Sequence, residues 1–141
     1  MPKIAIIGTT SWGITLAVIL AKKKLRVHLW ARTEEEAAEL MNNPESILSS
    51  RVSFPSHLTI TTSLKDAIAR ASAVLLAVPS QSMRQNIKLT AAYLKPYMLI
   101  ISAAKGLEKG TNERMSEVIA EEVGAKLQSN ICVLSGPNLA R

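Results

Sequence analysis

Residues 3–17, Lys-Ile-Ala-Ile-Ile-Gly-Thr-Thr-Ser-Trp-Gly-Ile-Thr-Leu-Ala, constrain the fold more than any other stretch of the chain. Ile4 to Ile7 is apolar with no polar alternation, the pattern of a strand covered on both faces by helices. Gly8 ends that run, and from Gly13 onward Ala17, Leu20, Ala21 and Lys24 recur at helical spacing. The polypeptide therefore turns directly from a buried strand into a helix. Such a turn presents free backbone N–H groups at a helix N-terminus, where the positive end of the dipole attracts a phosphate.

The fingerprint of a dinucleotide-binding turn places glycine at its first, third and sixth positions, for the tight turn, for backbone approach to the pyrophosphate and for helix–strand packing. Here those positions hold Gly8, Thr10 and Gly13. Thr10 brings a Cβ and a hydroxyl to the point of closest phosphate approach, so it weakens or shifts that contact unless its side chain points away. The alternative is a strand–helix turn whose glycines serve packing only.

The rest of the chain repeats the plan. Leu25 to Trp30 reads as a second strand, followed by Arg32 at the place where a Rossmann domain reads the adenosine ribose. An Asp or Glu there selects NAD; the positive charge of Arg32 admits NADP, although Glu34, Glu35 and Glu36 follow it. A helix starts at Thr33 or Glu34 and runs to about Asn42, and Pro44 to His57 reads as a loop with at most one helical turn around Ile47 and Leu48. Leu58 to Thr62 alternates as a short strand near the sheet edge, and Ser63 caps a helix whose inner face is Leu64, Ala67, Ile68 and Ala71.

Ala73 to Val78 is a buried strand ended by Pro79, after which Ser80 and Gln81 are expected to face a ligand crevice. Met83, Ile87, Ala91 and Leu94 mark a helix face that Pro96 stops, and Met98 to Ser102 is the next strand. Lys105 follows it, beside a glycine, Gly106, that permits an unusual backbone turn; a lysine so placed can neutralise a phosphate or polarise a carbonyl. Thr111 is expected to cap a helix with Met115, Val118, Ile119 and Val123 inward and Gly124 as its stop, and Asn130 to Gly136 is the sixth strand with its exit.

Strands alternating with helices define an α/β chain, a Rossmann-type doubly wound parallel sheet with helices on both faces in one three-layer domain. At 141 residues the chain holds one such domain, residues 1–141. No apolar run reaches membrane-spanning length, and Met1-Pro-Lys leads straight into the first strand without a signal peptide, so a cytoplasmic location is expected. The single Cys132 falls in a strand and reads as a buried structural thiol. The net charge of +6 raises nucleic acid as a partner, but the basic residues are scattered apart from Lys22-Lys23-Lys24 and no aromatics interleave with them. That triplet reads as the solvated end of the first helix, and the charge as a field favouring small anionic ligands. Neither His28 nor His57 has partners at metal-ligand spacing, so no metal site is expected.

Four segments together, Gly8-Thr-Thr-Ser-Trp-Gly13, Leu29-Trp-Ala-Arg32, Ser102-Ala-Ala-Lys-Gly-Leu107 and Leu134-Ser-Gly-Pro-Asn-Leu-Ala140, resemble the cofactor half of bacterial NAD(P)-dependent glycerol-3-phosphate dehydrogenase. The resemblance implies hydride transfer between a nicotinamide cofactor, NAD or NADP, and the carbon shared by sn-glycerol 3-phosphate and dihydroxyacetone phosphate, in service of phospholipid synthesis. It places Gly8, Thr10, Ser11, Trp12, Gly13 and Arg32 against the cofactor together with Ala140, Lys105 against both cofactor and substrate, and Gly136 and Asn138 on the substrate side. Thr10 stands where the family usually has glycine, and Asn138 where many members have serine. In this family an all-helical domain carrying the general-base lysine follows. It is absent from this chain, so no catalytic residue is expected here, turnover by the chain alone is not expected, and apolar surface near Leu139 invites self-association, such as a homodimer. Ser135-Gly136-Pro137 and Lys105-Gly106 argue against other dehydrogenases on the same scaffold. From another class, a stand-alone dinucleotide sensor or interaction module with a relaxed phosphate site also accommodates Thr10.

Overall fold

In the computed structural model, which describes residues 1–45 and 53–136, every strand pair runs parallel. The strands are β1 (Lys3–Ile7), β2 (Arg26–Trp30), β3 (Leu58–Thr61), β4 (Ala73–Leu76), β5 (Leu99–Ser102) and β6 (Ile131–Val133), in the sheet order β3-β2-β1-β4-β5-β6. Between them lie α1 (Ser11–Lys22), α2 (Glu34–Asn42), α3 (Leu64–Ile68), α4 (Met83–Ala91) and α5 (Met115–Val123). Parallel neighbours need crossover connections, and the helices supply them on both sheet faces. The turn at Ile47 and Leu48 expected from the sequence lies outside the described residues.

The period-two alternation of side chains divides β1 between two cores. Ile6 faces a layer with Ile14, Ala17 and Val18 of α1 and Leu40 of α2, whereas Ala5 and Ile7 face a layer with Met83 and Ile87 of α4 and Val118 and Ile119 of α5. A strand buried on both sides has no position for a polar residue, which is why the Ile4–Ile7 run shows none. Lys3 marks its start: the side chain is buried, and Nζ donates to the carbonyls of Asp66 (2.6 Å) and Ala69 (2.8 Å) at the end of α3. Burial, with Arg26 nearby, lowers the pKa of that ammonium.

The chain adds β2 and β3 on one side of β1, then crosses to β4 on the other. The reversal leaves a crevice at the carboxyl ends of β1 and β4, the place where doubly wound sheets bind ligands. The exit from β1 is shaped by contact. Gly8 has φ +121°, and a Cβ there would sit 2.4 Å from the Ala77 carbonyl oxygen; a Cβ at Gly13 would sit 2.2 Å from the Gly8 carbonyl oxygen. Both positions exclude any side chain, and Gly8 also needs a backbone region that L residues avoid.

Two expectations change. Cys132 is exposed, because β6 is the outer strand of the sheet and, of its three residues, only Ile131 packs on the α5 core. Thr111 does not cap α5: the helix begins four residues later with Arg114 as its cap, and the Thr111 hydroxyl instead donates to Glu108 (2.7 Å) in the connecting loop. Lys22-Lys23-Lys24 is exposed at the end of α1, as expected.

The β5–α5 loop is fixed by Arg84 of α4. Its guanidinium is bidentate to Glu108 (2.8 Å for each bond) and also reaches Glu113 (3.1 Å), Glu121 (2.8 Å) and Glu122 (2.8 Å). Hydrogen bonds from Arg84 and Thr111 hold the Glu108 carboxyl down to about 2, while Glu113, bonded to Glu121, is pushed up. A carboxyl with a depressed folded pKa stabilises the fold above its unfolded pKa, near 4.5, and loses that contribution as pH falls toward 2. Arg84→Met should therefore destabilise most near neutral pH. In urea unfolding at pH 7, 4 and 2.5, the gap between wild type and variant is expected to narrow steadily with falling pH; a pH-independent gap contradicts the ionic role.

Candidate functional site

Thr10 is the N-cap of α1. Its hydroxyl accepts from the Gly13 N–H (3.1 Å) and donates to the Ala77 carbonyl (2.8 Å), which turns the side chain inward. Thr10 still lines the cleft beside the turn, but its hydroxyl is engaged with the Gly13 N–H and the Ala77 carbonyl. The cap takes the third helical N–H, and the Ile14 N–H bonds the Thr10 carbonyl (2.9 Å). The N–H groups of Ser11 and Trp12 precede the first intrahelical bond and point out of the helix end. Trp12 packs its ring against the α1 core, with its indole N–H buried and unpartnered, so what it presents to the turn is backbone.

A cleft of about 330 Å³ opens beside this turn, bounded by Gly8, Thr9, Arg32, Glu36, Pro79 and Asn86. Arg32 stands just beyond β2, and its guanidinium donates to the Asn86 side-chain oxygen (3.3 Å) across the cleft. Glu36, in the first turn of α2, returns its carboxylate to the same place: one oxygen accepts from the Arg32 backbone N–H (2.7 Å), the other from the Thr9 hydroxyl. Thr33 caps α2 by accepting from the Glu36 N–H (3.1 Å). Neither Glu36 nor Asn86 was singled out by sequence reasoning. Thr33-x-x-Glu36 has the spacing of a capping box, which carries a signal for Glu36, but that carboxylate bonds the residue before the cap rather than the cap itself.

Ser80 and Gln81, expected to face this crevice, do not line it. They form a short 3-10 turn after Pro79, and Gln81 bridges to the β5–α5 loop, donating to the Leu107 carbonyl (2.9 Å) and accepting from the Lys109 N–H (2.9 Å). The wall is supplied instead by Ser82, the last residue of that short turn, and by Asn86 one helical turn further on.

A second cleft, about 510 Å³, lies over the ends of β5 and β6 and the start of α5. Lys105 lines it, and its Nζ donates to the Gly136 carbonyl (2.9 Å), so the structure brings these two expected residues together. Gly106, with φ +108°, makes the turn beside it. Ser102 is fully buried at the base of this cleft with its hydroxyl unpartnered. Asn138, Leu139 and Ala140 lie outside the described residues. His28 has a buried, unpartnered Nδ1, and burial, then Lys3 and Arg26, lower its pKa; it has a structural place in β2.

The strand order, the glycine turn feeding α1 at the switch point and the charged residues after β2 define a Rossmann-type dinucleotide-binding domain. Residues 3–141 match the family model for the NAD-dependent glycerol-3-phosphate dehydrogenase N-terminus, and the chain belongs to that family. It is 56% identical over 142 residues to a glycerol-3-phosphate dehydrogenase [NAD(P)+] of Dehalococcoides mccartyi, covering 99% of this chain and 40% of that protein. With the enzyme of the same name from Corynebacterium diphtheriae it shares 45% identity over 140 residues, covering 99% of this chain and 42% of the relative. The crystal structure of glycerol-3-phosphate dehydrogenase from Coxiella burnetii superposes with a TM-score of 0.82 at 30% identity, over 98% of this chain and 42% of that one. The chain thus spans about 40% of the length of the relatives it matches.

The capping role of Thr10 is measurable. Thr10→Ala removes the acceptor for Gly13 and the donor for Ala77 and is expected to lower stability by about 1–2 kcal/mol. A thermal melt unchanged from wild type contradicts the assignment.

Proposed function

We propose that this chain is the cofactor-binding half of an oxidoreductase that interconverts sn-glycerol 3-phosphate and dihydroxyacetone phosphate with NAD or NADP. The observation that carries the reading is the α1 N-terminus: a turn with no room for a side chain at Gly8 or Gly13, and a threonine whose hydroxyl bonds inward, leaving backbone N–H groups for a pyrophosphate. A dinucleotide laid from that turn toward Arg32 occupies the first cleft with its adenosine half, and its other half extends toward Lys105.

When bound, the nicotinamide supplies or accepts the hydride. The residues of this chain hold and orient. Ser11 and Trp12 hold the pyrophosphate through their free backbone N–H groups, Gly8 and Gly13 shape the turn that presents them, Thr10 keeps the helix start in place, and Arg32 closes the adenosine end. Lys105, hydrogen-bonded to the Gly136 carbonyl, supplies positive charge where a substrate phosphate or carbonyl meets the cofactor. Gly136 and Asn138 belong to the substrate side, and Ala140 to a further cofactor contact.

The general base and the remaining substrate contacts belong to a helical domain beyond this one, in keeping with the 40% share of the relatives' length. Positioning substrate against cofactor takes both walls of the cleft, so the cofactor half binds without turning over. Exposed Val133 and Leu134 beside the second cleft provide apolar surface for that domain, or for a second copy in a homodimer. No helix among the described residues is long and apolar enough to cross a membrane. A cytoplasmic location and a role in phospholipid synthesis complete the proposal.

The test is binding and turnover in sequence. The chain is expected to bind NADH saturably, read by cofactor fluorescence, and the full-length protein to reduce dihydroxyacetone phosphate. Lys105→Ala should lose at least about tenfold in kcat/KM, the scale of one charged hydrogen bond. No saturable binding of NADH or NADPH overturns the dinucleotide reading; binding without reduction of that substrate leaves a nucleotide-binding module of another function.

A further inference from the structure

Every strand of a parallel sheet is entered from the same end, and here the neighbouring entries are laced together. The Arg26 N–H donates to the Pro2 carbonyl (3.2 Å), Ser72 to Lys3 (2.8 Å) and Leu99 to Ser72 (3.0 Å), while the Asn130 side chain donates to Pro96 (2.6 Å) and Met98 (3.0 Å). The connections into β2, β4, β5 and β6, residues 23–25, 69–72, 92–98 and 124–130, therefore meet on one face, the amino end of the sheet. They carry Lys23, Lys24, Arg70, Lys95 and Lys126, all exposed, and no acidic residue. Exposed Lys22 and Arg26 extend the row at the end of α1 and the start of β2. Glu39 and Glu45, in and after α2, bound it on the β3 side, and Asp66 acts on the buried Lys3 and on His28. A cation in the last turn of a helix complements the negative end of the dipole, but that influence fades within the turn. It accounts for Lys22; the others lie past the helix ends.

Exposed apolar side chains stand among these cations. Tyr97 is 63% exposed and Tyr93 37%, on either side of Lys95, and Leu99 at the first position of β5 is 48% exposed. Tyrosine settles at the level of lipid headgroups, and lysine lays its stem along apolar surface while its ammonium reaches a phosphate. We propose that the amino end of the sheet is a docking surface for an anionic phospholipid bilayer. Adjacent entries lie about 4.8 Å apart, so the cations form a row of roughly 24 Å across six strands, which suits a planar array of phosphates. On the β2–β3 side the same end holds an open pocket of about 500 Å³ with Arg26, Ser56, His57 and Thr59 on its walls, which gives one headgroup donors and room. Duplex DNA is read by an element laid in a groove or by helix N-termini on its phosphates, whereas the helices here present their carboxyl ends. A second copy on this face would set like charge against like. Both clefts open at the opposite end of the sheet, so docking leaves them free.

Vesicle cosedimentation of the full-length protein reads the partition coefficient. Binding is expected to phosphatidylcholine vesicles that carry about 30% phosphatidylglycerol, not to phosphatidylcholine alone, and to fall as salt is raised from about 50 to 500 mM. Each Lys or Arg held at an anionic surface contributes on the order of fivefold, so Lys23→Gln/Lys95→Gln/Lys126→Gln is expected to lose about tenfold or more, with folding checked by circular dichroism. Tyr97→Ser should lose severalfold. Lys109→Gln removes a cation from the opposite end and should stay within about twofold of wild type. Amide hydrogen exchange of the wild type on the vesicles decides the matter if the triple variant fails to fold: residues 92–98 and 124–130 are expected to slow, with the Gly8–Gly13 turn as in solution. Equal binding to neutral vesicles, unchanged binding of the folded triple variant, or protection confined to other segments overturns the proposal. Duplex DNA that binds through the same lysines at a salt concentration that already releases the vesicles overturns it in favour of nucleic acid, and a dimer that buries residues 92–98 in solution overturns it in favour of a second copy.

Discussion

Most of what the chain can do follows from one contact, the approach of Gly13 in α1 to the carbonyl of Gly8 at the end of β1. With 2.2 Å between that oxygen and any Cβ at position 13, the helix lies directly on the strand exit only because glycine stands there. That contact sets the start of α1, and with it the free N–H groups of its first turn, at the carboxyl end of β1 beside the first cleft. Packing and ligand recognition are two consequences of one geometry. Thr10 fits the same plan: a side chain at the third position is tolerated because the Ala77 carbonyl and the Gly13 N–H give its hydroxyl somewhere else to go.

Polar side chains around the crevice are held by the elements behind them. Asn86 of α4 fixes Arg32, the start of α2 fixes Glu36, and Arg84 with Gln81 ties the β5–α5 loop to α4. That loop carries Lys105 and Gly106, and Lys105 in turn bonds the Gly136 carbonyl after β6. The two clefts are joined mechanically through α4, which contributes Asn86 to one and Arg84 to the bracing of the other.

The fold was legible because parallel strands buried on both faces leave an unmistakable apolar record. Ile4–Ile7, Ala73–Val78 and the cap residues Thr33 and Ser63 stood out for local reasons; the structure keeps the first run and both caps and ends the second strand at Leu76. What local reasoning misplaced depended on tertiary position. Cys132 lies in a strand, as the pattern implied, but on the sheet's outer edge, where a strand is not a core. Thr111 and Gln81 had the right residue types for a cap and a crevice, yet both bond the β5–α5 loop, whose path no periodicity records. Glu36 was hidden among three adjacent glutamates, and only the return of α2 toward the glycine turn separates it from its neighbours.

Cofactor binding by this chain turns on whether the first turn of α1 holds the pyrophosphate. The most direct measurement is a titration of the ¹⁵N-labelled chain with NADH, followed by amide resonances. The largest shifts are expected at the Ser11 and Trp12 amides, with smaller ones at Gly8, Thr9 and Arg32 on the adenosine side. Shifts confined to the Lys105–Arg114 region, with the Gly8–Gly13 turn unmoved, would contradict it.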